Sequence, residues 1–273
     1  MAAAAAPALA IAMWRNALGV AAIAPFALIR SRVELSCLSR HEWLWALAAG
    51  GLLAGHFATW VPSLKYTSVA SATALVCVQP VWVALIARAQ GHHVPVRAWV
   101  GIGVALVAVV VLTGVDFALT PAALVGDLLA LAGGVFAAAY TIAGGVIRRT
   151  VSTTAYTFVC YTVCALLLLV VCLALRQKLG GYERETWLQL LALTAGAQLL
   201  GHSLFNRILR TTSATVVSLA LLFEVPGAAI IAAIWLGQTP PVAAVPAALL
   251  LLVGLGLVIS AREKDAEGAI PAE

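Results

Sequence analysis

Apolar residues along this chain do not alternate with polar ones. They run on for about twenty residues at a time and then stop at a short polar break. Nine such runs cover roughly 7–29, 43–62, 66–88, 97–115, 122–147, 153–175, 186–206, 212–236 and 241–261. About twenty apolar residues in a helix cross the roughly 30 Å hydrocarbon core of a bilayer. A helix also satisfies its own backbone hydrogen bonds, which lipid cannot do. The pattern predicts nine membrane-spanning helices. A membrane barrel would instead show ten-residue stretches of alternating character. Trp43 and Trp45 open one run, Trp60 closes it, and Trp99, Trp187 and Trp235 stand at other run ends, where amphipathic rings favour the headgroup region.

Composition agrees. Of 273 residues, 63% are hydrophobic and 10% charged. Soluble domains are about 45–50% apolar and about 25% charged, so a soluble enzyme, a disordered chain and a disulfide scaffold are excluded. The net charge of +5 comes from residues scattered singly or in pairs, without the dense patch a nucleic-acid partner needs. Taken by alternate loops, one side receives Arg30, Arg32, Arg40, Arg88, Arg97, Arg148, Arg149, Arg207, Arg210, Arg262 and Lys264; the other receives Lys65, Arg176, Lys178 and Arg184. The richer side is the cytoplasmic one. This predicts a multi-pass inner-membrane protein with a cytoplasmic C-terminus. The N-terminus lacks the basic region of a cleaved signal peptide. Four of the five cysteines sit inside apolar runs with no metal-ligand spacing, so no metal site is expected. Hydrolase, protease and nucleotide-binding signatures are missing, which argues against an enzyme and against a cofactor.

The chain repeats itself. Gly55-His56 is followed by Pro80, and Gly201-His202 by Pro226, at the same spacing; the offset of 146 also pairs Leu53 with Leu199 and Gly91 with Gly237. It lays 66–88 on 212–234 and 7–29 on 153–175, and leaves 122–147 without a partner inside the chain. The reading is a five-helix unit present twice, with the first helix of the first copy absent. Units with an odd number of spans are inverted relative to one another, a common design of secondary transporters. The units are 1–116 and 122–262, followed by a tail at 263–273.

The residues carry a resemblance. Ile11-Ala12-Met13-Trp14-Arg15-Asn16 resembles a second-helix signature of the drug/metabolite transporter superfamily, EamA branch. Leu64 to Pro80 and Thr212 to Pro226 resemble that family's helix 4 and helix 9 patterns. The resemblance implies ten helices in two inverted halves and transport of small metabolites. This chain departs from it by lacking helix 1, by Gln238 in place of an acidic residue, and by Glu-Val-Pro in place of Glu-Pro.

Ionisable groups at membrane depth are costly and mark function by default. Glu224, His56 and His202 are the candidates near mid-span, each either a proton or substrate site or a hydrogen-bonded packing residue. Thr194, Gln198, His202 and Asn206 recur every fourth residue, a polar stripe along one helix face. With Trp60, Gln79 and Tyr140 they predict a polar, aromatic-lined substrate pocket; the other reading is interhelical hydrogen-bond glue. Arg15, about eight residues into its run, is expected to snorkel to the surface, with an acid or an anionic substrate group as other partners. Asp127 reads as a helix N-terminal residue favoured by the dipole. Pro80 and Pro226 predict kinks, and Gly51 with Gly55 a close-packing face. The expected function is a secondary transporter that exports or exchanges small organic metabolites, with protons as candidate coupling ions. A non-transporting relic or partner subunit is the runner-up.

Overall fold

A computed structural model describes residues 6–67, 69–113, 120–223, 226–227 and 244–268. All regular structure among them is helical: α1 (Ala8–Arg30), α2 (Arg32–Cys37), α3 (Arg40–Ser63), α4 (Val69–Val76), α5 (Gln79–Ala89), α6 (Val96–Thr113), α7 (Pro121–Ile147), α8 (Thr153–Ala174), α9 (Arg184–Leu193), a π-helix (Thr194–His202), α10 (Ser203–Ile208), α11 (Ala214–Leu221) and α12 (Ala244–Gly268). Six helical stretches are long and apolar enough to cross a membrane: Ala8–Arg30, Arg40–Ser63, Ser71–Ala89, Pro121–Ile147, Thr153–Ala174 and Arg184–Ile208. Two shorter apolar helices, Val96–Val111 and Val245–Ala261, accompany them. Of the run at 212–236, residues 224–225 and 228–236 lie outside the described residues.

Helix starts follow local chemistry. Ser39 and Glu42 form a reciprocal capping box at α3, and Thr120, Ser152 and Ser213 cap α7, α8 and α11 through their hydroxyls. Each satisfies a backbone N–H that the first helical turn leaves open. Because α7 starts at Pro121, Asp127 falls in its second turn, one turn later than the position expected for a dipole-favoured terminal residue.

Repeat mates pack on each other, and they do so in opposite directions. At one end of the α1–α8 pair, Trp14 Nε1 donates to the Leu179 carbonyl past the end of α8 (2.9 Å). At the other end, Glu34, past the end of α1, accepts from the Ser152 backbone N–H ahead of α8 (2.5 Å). In the α6–α12 pair, Gly101 faces Gly254, Leu257 and Val258, whereas Gly254 faces Gly101 and Ala105. Rising numbers on one helix meet falling numbers on the other in both pairs, as inverted copies require. α7, which has no repeat mate among the described residues, lies antiparallel along α3: Gly133 meets Trp60, and Gly126 meets Tyr66 and Thr67.

Three sequence expectations are corrected. The run 66–88 holds one spanning stretch, Ser71–Ala89, but not one uninterrupted helix. It breaks at Cys77-Val78, and Pro80 stands in the first turn of α5, where its missing N–H costs nothing. The second copy loosens at the matching place, with Leu222 and Phe223 bonding three residues back to Leu219 and Ala220. Gly51 and Gly55 do not share one interface. Gly55 packs on Phe136, and the tightest glycine contact on α3 belongs to Gly50, where a Cβ would lie 2.6 Å from Val163 Cβ and 2.8 Å from the Cys160 carbonyl. Arg15 does not snorkel outward; it is only 4% exposed, because polar partners inside the bundle hold it more cheaply than a stretched path to water.

The exposed large apolar side chains, among them Leu128, Leu166, Val170, Leu173, Leu200 and Leu252, form the outer face of the bundle, as lipid-facing positions should. Inside, Tyr156, Tyr161, Phe57, Leu53 and Leu168 are fully buried between α1, α3, α7 and α8.

Candidate functional site

The repeat offset is not constant. Arg40, Trp43 and Leu44 match Arg184, Trp187 and Leu188 at 144, whereas Gly55-His56 matches Gly201-His202 at 146. The second copy therefore holds two extra residues between Leu188 and Gly201. The π-helix Thr194–His202 lies there. Each i→i+5 turn takes in one residue more than an α turn, so a two-turn π segment absorbs the insertion and leaves the helix on its axis. It closes with Ser203 N–H donating to the Gln198 carbonyl.

This widened helix supplies one wall of a central cavity of about 150 Å³. Arg15 from α1, His56, Phe57 and Trp60 from α3, Gln79 from α5, Tyr140 and Thr141 from α7, His202 from the π-helix, and Phe205 and Asn206 from α10 line it. Thus His56, Trp60, Gln79, Tyr140, His202, Asn206 and Arg15, singled out on separate runs of the sequence, converge on one space. Gln198 sits behind Arg15, fully buried. Its Oε1 accepts from Arg15 Nε (2.8 Å), and its Nε2 donates to Asn16 Oδ1 (2.9 Å). Pro80 is buried at the start of α5, Pro226 is buried, and Glu224 lies outside the described residues.

The cavity wall is ordered by a few specific bonds. The Arg15 guanidinium lies 4.7 Å from the centre of the Phe57 ring, a cation–π contact. The His56 Nδ1 is 2.9 Å from the Gly133 carbonyl. That oxygen can only accept, so Nδ1 carries a proton and Nε2 is the variable nitrogen. The His56 ring stacks on Trp60, with centroids 5.6 Å apart and planes 12° apart. His202 has the Phe57 and Tyr140 rings as neighbours, at 6.2 and 6.3 Å. Tyr140 donates to Asn206 Oδ1 (2.8 Å), and Gln79 to Thr141 Oγ1 (2.9 Å).

Sequence reasoning missed several members. Asn16 completes the Arg15–Gln198 chain, and only its place beside Arg15 could have flagged it. Arg148, counted above as a loop charge, is 2% exposed. Its Nε donates to the Asn206 carbonyl (2.8 Å), its Nη2 to Thr153 Oγ1 (2.6 Å) and its Nη1 to the Val151 carbonyl. Burial, then the nearby Arg210, holds its pKa below the usual arginine value. Arg148 pins the end of α10 to the α7–α8 turn. Among the described residues, no cluster of three or more His, Cys, Asp or Glu could hold a metal ion.

Beyond Leu209, which lines both spaces, lies a second cavity of about 510 Å³ bordered by His92, His93, Arg149, Arg210 and Ser213.

A helical membrane protein built from two inverted copies around a shared polar cavity has the architecture of a secondary transporter. The chain belongs to the EamA-like transporter family, which it matches over residues 1–114 and 124–260, and is a membrane transporter of the drug/metabolite type. A solved crystal structure of a protein 20% identical superposes with a TM-score of 0.79, over 95% of this chain and 90% of that one; this likeness speaks to the fold. No curated protein matches the chain.

Proposed function

We propose that the protein exports or exchanges small organic metabolites across the inner membrane, with the central cavity as its substrate site. The observation that carries this reading is the convergence of polar and aromatic groups from both copies on one cavity. Transporter sites of this kind form where helices of two repeats meet and depart from regular geometry. Here the departures are the α4–α5 break, its counterpart after α11, and the π-helix. They supply hinges at which one copy can rock against the other. His202 and Glu224 are the proposed sites of proton uptake during the cycle.

The test is flux in proteoliposomes of the purified chain. Saturable, substrate-specific uptake of a metabolite is expected. His202→Ala and Glu224→Gln should each lower it at least tenfold while the protein still purifies as a folded species. Unchanged flux in both variants would remove them from the site, and no flux of any metabolite would overturn the transport reading.

A further inference from the structure

We propose that the second cavity, beyond Leu209, binds the phosphate group of an organic phosphate. The phosphate is held by Arg149, Arg210 and the hydroxyls at the start of α11, and the organic part lies on the apolar floor. This site is separate from the central cavity and does not rest on the transport reading.

Charge is the first argument. His92 and His93 come from the α5–α6 turn, Arg149 from the α7–α8 turn and Arg210 from the α10–α11 turn, and all four border one space of about 510 Å³. The bias of basic residues toward one side of a membrane explains how many lie at this end of the bundle. It does not explain why three turns bring them to one cavity with no Asp or Glu among the described residues that line it. The Arg149 and Arg210 side chains are exposed and make no hydrogen bond or ion pair with the described residues. Glu42, which shares a smaller space with Arg149, is already held by the Ser39 N–H and hydroxyl, at 2.8 Å each. Arg210 also repels the neighbouring Arg148, and a bound anion offsets such a repulsion.

The second argument is the donor set. Thr212, Ser213 and Thr215 line the cavity beside Arg210. Ser213 Oγ accepts from the Val216 N–H (3.3 Å), which leaves its own proton free to donate. The Thr212 and Thr215 hydroxyls make no hydrogen bond with the described residues. A phosphate monoester carries about −1.5 to −2 charges and three strong acceptor oxygens, enough to engage two guanidinium forks and these hydroxyls together. A carboxylate brings one charge and two oxygens.

Shape decides the rest. Val83 and Ala87 of α5, Ile142 and Val146 of α7, and Val258 of α12 line the same space. Inorganic phosphate has nothing to place against such a floor, whereas burial of apolar area favours a ligand with an organic body. A ligand of this chemistry reaches the site from the leaflet, as a phospholipid headgroup, or from water, as a phosphorylated metabolite.

Calorimetric titration of the purified full chain in neutral detergent tests the site and separates the two sources. The anionic probes are glycerol phosphate and dioctanoyl phosphatidate; glycerol and the zwitterionic dioctanoyl phosphatidylcholine are the controls. At least one anionic probe should bind saturably, and both controls at least tenfold more weakly. Phosphatidate at least tenfold tighter than glycerol phosphate marks a lipid; a smaller difference or the reverse order marks a soluble ligand. Arg149→Gln combined with Arg210→Gln should weaken binding at least tenfold. Arg30→Gln combined with Arg32→Gln removes the same charge from exposed positions outside the cavity and should leave binding unchanged. Should the first pair fail to fold, the ranking of the four probes on the unaltered chain decides. No saturable binding of either anion, equal binding of a control, or equal loss in both double variants would overturn the site.

Discussion

A guanidinium inside a membrane-spanning bundle is costly unless its donors are engaged, and Arg15 shows how this chain meets that cost. Gln198 Oε1 accepts a hydrogen bond from its Nε, Asn16 orients Gln198, and Asn16 Nδ2 in turn donates to the Ala12 carbonyl (2.8 Å). Gln198→Leu preserves volume but orphans two buried partners, which costs about 1–3 kcal/mol for each group left unsatisfied. Thermal unfolding of the purified variant should show a clear fall in midpoint, together with loss of flux. Trp60→Phe is the complementary case. It keeps an aromatic ring against His56 and removes an N–H that bonds nothing in the folded chain. Folding should stay within about 0.5 kcal/mol of the parent. If Trp60 donates to a substrate in the cavity, binding should fall by the worth of a hydrogen bond, about 0.5–1.5 kcal/mol. Equal loss of stability and binding in Trp60→Phe would show a structural role only.

At the scale of single elements, the glycines and the π-helix make separable predictions. A Cβ at Gly50 has no room between α3 and α8, whereas at Gly51 the nearest atom is Leu167 Cδ1 at 3.9 Å. Gly50→Ala should destabilise by about 1–3 kcal/mol through overpacking. Gly51→Ala should be neutral or stabilising by up to about 1 kcal/mol through the helix propensity of alanine; unfolding midpoints of the pair check both. If the π-helix absorbs two inserted residues, removing both Ala195 and Gly196, which are exposed, should return the segment to α geometry with His202 still facing the cavity. Removing Ala195 alone should leave a single π turn and keep the register beyond it, whereas removing Ala192, also exposed, in addition to the pair should turn everything beyond it by about 100° and carry the polar stripe toward lipid. Folded yield in membranes should therefore be higher for the single and double deletions than for the triple one; the opposite order would refute the register argument.

For the whole molecule, the antiparallel mates α1–α8 and α6–α12 fix the copies as inverted, and the basic residues give the bundle its proposed sense in the membrane. A reporter fused after Glu273 should read as cytoplasmic and one inserted at Gly180 as external. The same signal from both sites, or the reverse pair, would overturn the orientation. In that proposed orientation the second cavity, bordered by Arg149, Arg210, His92 and His93, faces the cytoplasm.

What the sequence by itself determined was whatever depends on solvent and on local pattern. Long apolar runs dictated helices, because lipid offers the backbone no other partner, and the 146-residue offset disclosed the two copies. The shared period of Gln198, His202 and Asn206 already placed a polar stripe on one helix. Tertiary structure decided the rest. Whether Arg15 reached outward or inward depended on Gln198, 183 positions away in the chain, and a single run of sequence carries no such distance. The same holds for Arg148, a surface charge by its neighbours and a buried staple by its contacts with Asn206 and Thr153. The π-helix was foreshadowed by a two-residue change in offset that only matters once both copies occupy one fold. A cavity is a property of several helices at once, so its residues were legible as candidates, but their convergence was settled by packing.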